Sequence, residues 1–271
     1  DDNHQNQILV IVIALGAPLF APHDPELQSL RLRTRPPVWG GERAEPGYWL
    51  GTDALGRDIL SRVIFGARIS MIVGIGVVTI QGIIGVLIGL AAGYFGGWVD
   101  SILMRLADVQ QAVPFLILAV AVAAVLDASL WNVILVLAVA GWVPYGRVVR
   151  GQVLSVRERE FVEATRALGS SHLRIIFRHI LPNILAPITV IGTLTISTMI
   201  LAEASLSFLG LGVPPPTPTW GGMIADGRDY LASAWWVSVM PGIAIFATVL
   251  SINLLGDRLR ELTDPTLRHN A

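Results

Sequence analysis

The chain has 271 residues, 53% of them hydrophobic and 14% charged, with a mean hydropathy of +0.64 and a formal net charge of −1. Soluble domains carry about 25% charged residues, so the composition is that of a membrane protein, and the near-zero charge offers no surface for nucleic acid. Cysteine is absent, which excludes disulfides, thiolate metal centres and cysteine nucleophiles; lysine is absent too, all nineteen cationic residues being arginine. An ATP-cradling P-loop needs a lysine on the β/γ-phosphates. If ATP drives this protein, its hydrolysis is expected in another subunit, and no cofactor is expected in this chain.

The first apolar stretch, Ile8–Ala21, is short for a membrane span and contains Pro18. The polar Asp1–Gln7 before it is unlike a natural membrane entry, so the expectation is that the true N-terminus is missing or does not directly precede Ile8. Without a basic n-region or a clear cleavage site it does not read as a signal peptide. A polar segment rich in proline, arginine and acids follows, about Pro22–Gly66. At its end, Gly51-Thr52-Asp53-Ala54-Leu55-Gly56-Arg57-Asp58 has helix-start chemistry: Thr52 or Asp53 is expected to cap an interfacial helix carrying Ile59, Leu60, Val63 and Ile64.

The remaining spans are predicted at Ile69–Tyr94, Ser101–Leu126, Leu130–Val149, Ile184–Leu206 and Trp236–Leu255, six with the first. Ile69–Phe95, Leu130–Val143 and Ile184–Ala202 carry no charge. Because backbone polar groups in lipid must be satisfied internally, these runs define an all-α bundle. The expected organisation is a first span and external loop over 1–66, a five-helix core over 67–256 that includes the loop 150–182, and a tail over 257–271. Pro214-Pro215-Pro216-Thr217-Pro218 is a stiff extended segment, and Trp220, Trp235 and Trp236 mark an interfacial aromatic belt. An even number of spans places both termini and the 150–182 loop on one side. That side then carries ten or eleven arginines against eight, which weakly favours it as cytoplasmic.

Polar residues within the spans are sparse. Arg105 and Asp108 are three apart and are expected to form an ion pair on one helix. Asp108, Gln111 and Glu203 are the candidates for a pathway or gate, Glu203 near the outer end of its span by helical rise, with a structural hydrogen-bonding role as its alternative. Gln81, and the pair Gln110-Gln111 that opens another span, are expected to hydrogen-bond between helices. Gly85, Gly89 and Gly93 form a packing seam on one helix face, facing this chain or a second subunit. The five histidines have no metal-ligand spacing.

The most informative segment runs from Arg157 to Pro182. Arg157, Arg159, Arg166, Arg174 and Arg178 keep it out of the hydrocarbon, while Phe161, Ala164, Leu168, Leu173, Ile176 and Phe177 recur at helical spacing. A water-side helix with an apolar face needs a soluble partner to cover it. Gly169 can end a first short helix at positive φ, Ser170 or Ser171 can cap a second, and Pro182 is expected to separate the hairpin from the following span.

Glu163-Ala164-Thr165, Gly169 and His179-Ile180-Leu181-Pro182 resemble the "EAA" signature of ABC importer permeases, with Thr165 in place of the second alanine and His179 at an apolar position. Gly51-Thr52-Asp53 with Gly56-Arg57-Asp58, Glu203-Ala204-Ser205-Leu206-Ser207-Phe208-Leu209-Gly210-Leu211-Gly212, Pro216-Thr217-Pro218-Thr219-Trp220-Gly221 and Asn253-Leu254-Leu255-Gly256-Asp257 look like the dipeptide/oligopeptide/nickel branch. The resemblance covers about Gly51 to Arg268. It implies a type I importer permease fold in a bacterial inner membrane, with peptides, or nickel and other small solutes, as cargo. It further implies a second homologous permease, two cytoplasmic ATP-binding subunits that bind ATP and Mg, and an external solute-binding protein. Phe161, Glu163, Ala164, Thr165, Leu168, Gly169, Leu181 and Pro182 would couple to the ATPases. An ion channel or an intramembrane enzyme are the alternatives of another class; a channel would leave the hairpin without a purpose, and no nucleophile–base pair or metal-ligand set is spaced for an enzyme.

Overall fold

The computed structural model describes residues 21–263. The expected span Ile8–Ala21 lies outside these residues except for Ala21. Among the described residues there are no strands, only an isolated bridge between Thr52 and Asp58.

The first helix, α1, runs from Ile59 to Phe95. Asp58 caps it, accepting from the Ser61 N–H (2.9 Å) and hydroxyl (2.6 Å), which satisfies an orphan donor of the first turn. At 1.5 Å per residue its 37 residues make a rod about 55 Å long, against a hydrocarbon layer of about 30 Å. The expected interfacial helix is therefore the N-terminal end of the span itself, and the cap is Asp58 rather than Thr52 or Asp53. Gly66 lies inside the rod, where the Trp220 indole packs on it, 2.8 Å from where a Cβ would sit. The expected boundary at 66/67 falls inside α1, and that at 256/257 falls inside the last helix.

Two of the predicted spans are broken. Residues Gly97–Gln111 (α2) and Phe115–Ala123 (α3) meet at 80°, and Leu130–Gly141 (α4) and Val143–Arg157 (α5) at 44°. Proline causes both. Pro114 has no N–H and pushes Val113 out of helical geometry. Pro144 leaves the Ala140 carbonyl without its partner four residues on, and the Gln110 side chain takes that carbonyl (2.8 Å) and the Val139 carbonyl (2.9 Å) instead. The Gln110 carboxamide oxygen also accepts from the Trp142 indole (2.7 Å), tying the two bends together.

After the short helix α6 (Glu160–Ala167), α7 runs from His172 to Phe208, with Ile175–Ile180 wound as a π-helix. Pro182 thus does not separate hairpin from span. Proline in a regular α-helix clashes with the carbonyl four residues back, and the wider π turns just before it absorb that conflict. The Asn183 side chain satisfies the His179 carbonyl (2.7 Å). Helices α8 (Trp220–Gly227) and α9 (Trp236–Thr263) complete the bundle.

Helices α1 and α5 run parallel in close contact. A Cβ on Gly85 would lie 2.4 Å from the Tyr145 Cβ, one on Gly89 2.7 Å from the Gly146 carbonyl oxygen, and one on Gly93 2.7 Å from the Val153 Cβ. The glycine seam is internal to this chain. Against α1 packs α7, antiparallel, and against α7 packs α9. Only 22–28% of the most apolar stretch of each long helix is buried, which leaves the remainder for lipid or another subunit.

Candidate functional site

The hairpin occupies the end of the bundle where α1 and α5 terminate. Arg157, the last residue of α5, donates to the Gly93 carbonyl (2.9 Å), and Arg150 grips Asp100 of α2 with two bonds, one of 2.6 Å. Glu160 and Glu163 sit in the first turn of α6, where carboxylates complement the helix dipole. The helix ends in a Schellman turn: Gly169 takes φ +75°, its N–H donates to the Arg166 carbonyl (3.0 Å), and the Ser170 N–H to Thr165 (3.3 Å). Thr165, which departs from the signature, spends its hydroxyl on the Phe161 carbonyl (2.7 Å). Ser171 holds the cap position of α7, but its side chain makes no capping bond.

Two opposed edges result. Val162, Ile175, Ile176 and Ile180 are buried among Leu90, Tyr94, Val149, Val153, Val156 and Ile184, with Leu181 packed beside them. The Tyr94 hydroxyl pairs with His172 Nδ1 at 2.8 Å, and the Arg166 guanidinium lies over the Tyr94 ring. The other edge has no cover among the described residues: Phe161 is 40% exposed, Leu168 86%, Leu173 66% and Phe177 50%. Glu163, Ala164 and Pro182 are also exposed. Ile176, read from its spacing as part of the outer face, and Leu181 belong to the inner one, where they fix the hairpin to the bundle.

The three in-span candidates are not brought together. Asp108 pairs with Arg147 of α5 (2.6 Å) across two exposed side chains, rather than with Arg105. Gln111 lines a cavity at the α2–α3 bend. Glu203 is fully buried between α7 and α1; the Ser207 hydroxyl donates to it at 2.6 Å and the Ser70 hydroxyl at 3.4 Å. Glu203→Gln is expected to lower uptake by less than about threefold, since an amide keeps two polar atoms for these hydroxyls. A larger loss in a protein of unchanged unfolding temperature would return Glu203 to the pathway.

Gly51–Asp58 forms a buried clamp at the opposite end of the bundle. The Asp53 carboxylate accepts from the N–H groups of Leu55 (2.8 Å) and Arg57 (2.9 Å) and from Arg57 Nε (2.6 Å), while Arg57 reaches Asp226 (3.2 Å) at the end of α8. The Trp236 indole donates to the Thr52 carbonyl (3.2 Å). Buried charges of this kind persist only when paired. Sequence reasoning missed the clamp because its helix-start chemistry is equally that of a tight turn. It named Gln110 for a hydrogen bond between helices, which the structure bears out, but it missed Tyr145.

Overlong and broken apolar helices, with a clamped amphipathic hairpin at one end, are the architecture of a multi-pass membrane protein. The family model described as "Binding-protein-dependent transport system inner membrane component" matches residues 85–269. The chain is 45% identical over 264 residues to the di/tripeptide transport system permease protein DppC of Pseudomonas aeruginosa, covering 97% of this chain and 87% of that protein. It is 41% identical over 263 residues to the glutathione transport system permease protein GsiD of Pectobacterium atrosepticum, covering 96% and 85%. The inward-facing MetNI methionine ABC transporter in its CY5 native crystal form shares the fold, with a TM-score of 0.61 at 20% identity over 76% of this chain and 98% of that one. This chain belongs to the binding-protein-dependent inner-membrane transport components, as an ABC importer permease.

Proposed function

We propose that this chain forms, with a second homologous permease, the translocation pathway of an importer of short peptides. The observation that carries the reading is the uncovered apolar edge Phe161–Leu168–Leu173–Phe177 on a hairpin whose other edge is locked into the bundle. An apolar edge standing in water is stabilised by a soluble partner, and a locked base passes that partner's movement to α1, α5 and α7. The partners are two ATP-binding subunits that hold ATP and Mg and carry out the hydrolysis. The chain itself catalyses nothing. The hairpin and the C-terminal end of α9 face the cytoplasm, and the Asp53–Arg57–Asp226 end faces an external solute-binding protein. Peptide as cargo is supported by the relatives, whose names specify di/tripeptides and glutathione.

Reconstitution in proteoliposomes with the partner permease, the ATP-binding subunits and the binding protein tests this. ATP-dependent accumulation of a labelled dipeptide is the expected result. Accumulation of nickel in place of peptide, or ion conduction by this chain alone, would overturn the reading.

A further inference from the structure

Where the two bent spans turn, they enclose a cavity of about 400 Å³ against α7. Its size is at the lower end of small-ligand sites. None of its lining residues is charged; its polar lining comes from Gln111, Tyr145, Thr195 and Thr198, with Gln110 at the bend. Thr195 and Thr198 donate within α7, to the Ile191 (2.6 Å) and Thr195 (2.8 Å) carbonyls, so both hydroxyls present lone pairs as acceptors. The Tyr145 hydroxyl is buried beside that of Thr195 without a hydrogen bond of good geometry. Both polar atoms of the Gln81 carboxamide are buried with no hydrogen-bond partner, on a side chain with no exposed surface. The carboxamide sits directly behind Gly141 of the cavity wall: a Cβ there would lie 2.3 Å from Gln81 Oε1. Gly141 also precedes the α4–α5 bend, so the wall has no side chain at the point where the amide waits.

Buried polar groups are nearly always paired, and a poorly satisfied hydroxyl in the cavity with an unpaired carboxamide just behind its wall calls for a ligand that pairs them. The donors and acceptors are neutral, which suits a group that is itself neutral and carries one donor and one acceptor. A free ion would lose its hydration there and gain no countercharge. The geometry points to a binding site for the peptide bond of the transported solute, formed by Tyr145, Gln111 and, through Gly141, Gln81. This inference rests on the reading of the chain as a peptide permease.

Reconstituted transport of a dipeptide and of its ester-linked analogue, in which oxygen replaces the peptide N–H, tests the site with Tyr145→Phe and Gln81→Leu. Each variant is expected to slow dipeptide uptake about tenfold, the worth of one lost hydrogen bond, and to change uptake of the ester much less. Removing an unpaired buried amide relieves a penalty, so Gln81→Leu is also expected to unfold at or above the wild-type temperature. Wild-type dipeptide uptake in both variants, equal loss for amide and ester, or a lowered unfolding temperature of Gln81→Leu would each overturn the site. A wild-type complex that accumulates dipeptide while the variants match it sinks the site alone; one that accumulates no peptide sinks the peptide reading as well.

Discussion

Replacing Phe161 and Leu168 together with aspartate is expected to stop ATP-driven uptake while leaving the bundle at its wild-type unfolding temperature. Both side chains lie on the outer edge of the hairpin, Leu168 being 86% exposed, so the folded chain loses little packing when they change. A central apolar anchor of an interface is worth about 2 kcal/mol or more when truncated, about 30-fold in affinity, and burying a carboxylate in its place adds to that loss. The ATP-binding subunits should therefore no longer co-purify. Glu163→Arg should act in the same direction, because it also places a cation at the positive end of α6. Val162→Asp is the contrast: Val162 is fully buried in the inner cluster, and its variant should fail to fold. Wild-type uptake by the double variant would show that the outer edge is not a docking surface.

Gly89→Val is expected to lower the stability of the bundle. Valine is a better helix former than glycine, so propensity alone predicts a gain. The seam reverses the sign. The new Cβ would stand 2.7 Å from both the Gly146 carbonyl oxygen and the Val149 Cβ, and backbone cannot step aside as a flexible side chain can. Overpacking of this kind costs about 1–3 kcal/mol. The unfolding temperature in detergent should fall, and Val149→Ala in the same chain should recover part of it. An unchanged unfolding temperature would mean that α1 and α5 are free to separate.

The amphipathic hairpin, its turn at Gly169 and the positions of most apolar segments were legible in the sequence, because spacing and glycine chemistry act locally. What was not legible depends on partners. Hydropathy reports which residues leave water but not whether the chain bends on the way, so the breaks at Pro114 and Pro144 passed as continuous spans. Helical spacing identifies Ile176 as apolar but not which of two apolar surroundings receives it. The same limit hid the burial of Glu203, Gln81 and Tyr145, whose neighbours come from helices remote in sequence. Thr52 and Asp53 were read as a cap because turn and cap use the same residues; only the arrival of Arg57, Asp226 and Trp236 decides between them.

Helix α1 begins at the Asp53–Arg57 clamp and ends against His172 of the hairpin, without a break between. Tilting such a rod by about 10° about its middle displaces its two ends by about 5 Å each, in opposite directions, given its length of about 55 Å. A push delivered at one face of the membrane is thus an equal and opposite swing at the other, with no relay through loops. A helix that tilted in this way would draw away from its neighbours at one face as it closed on them at the other.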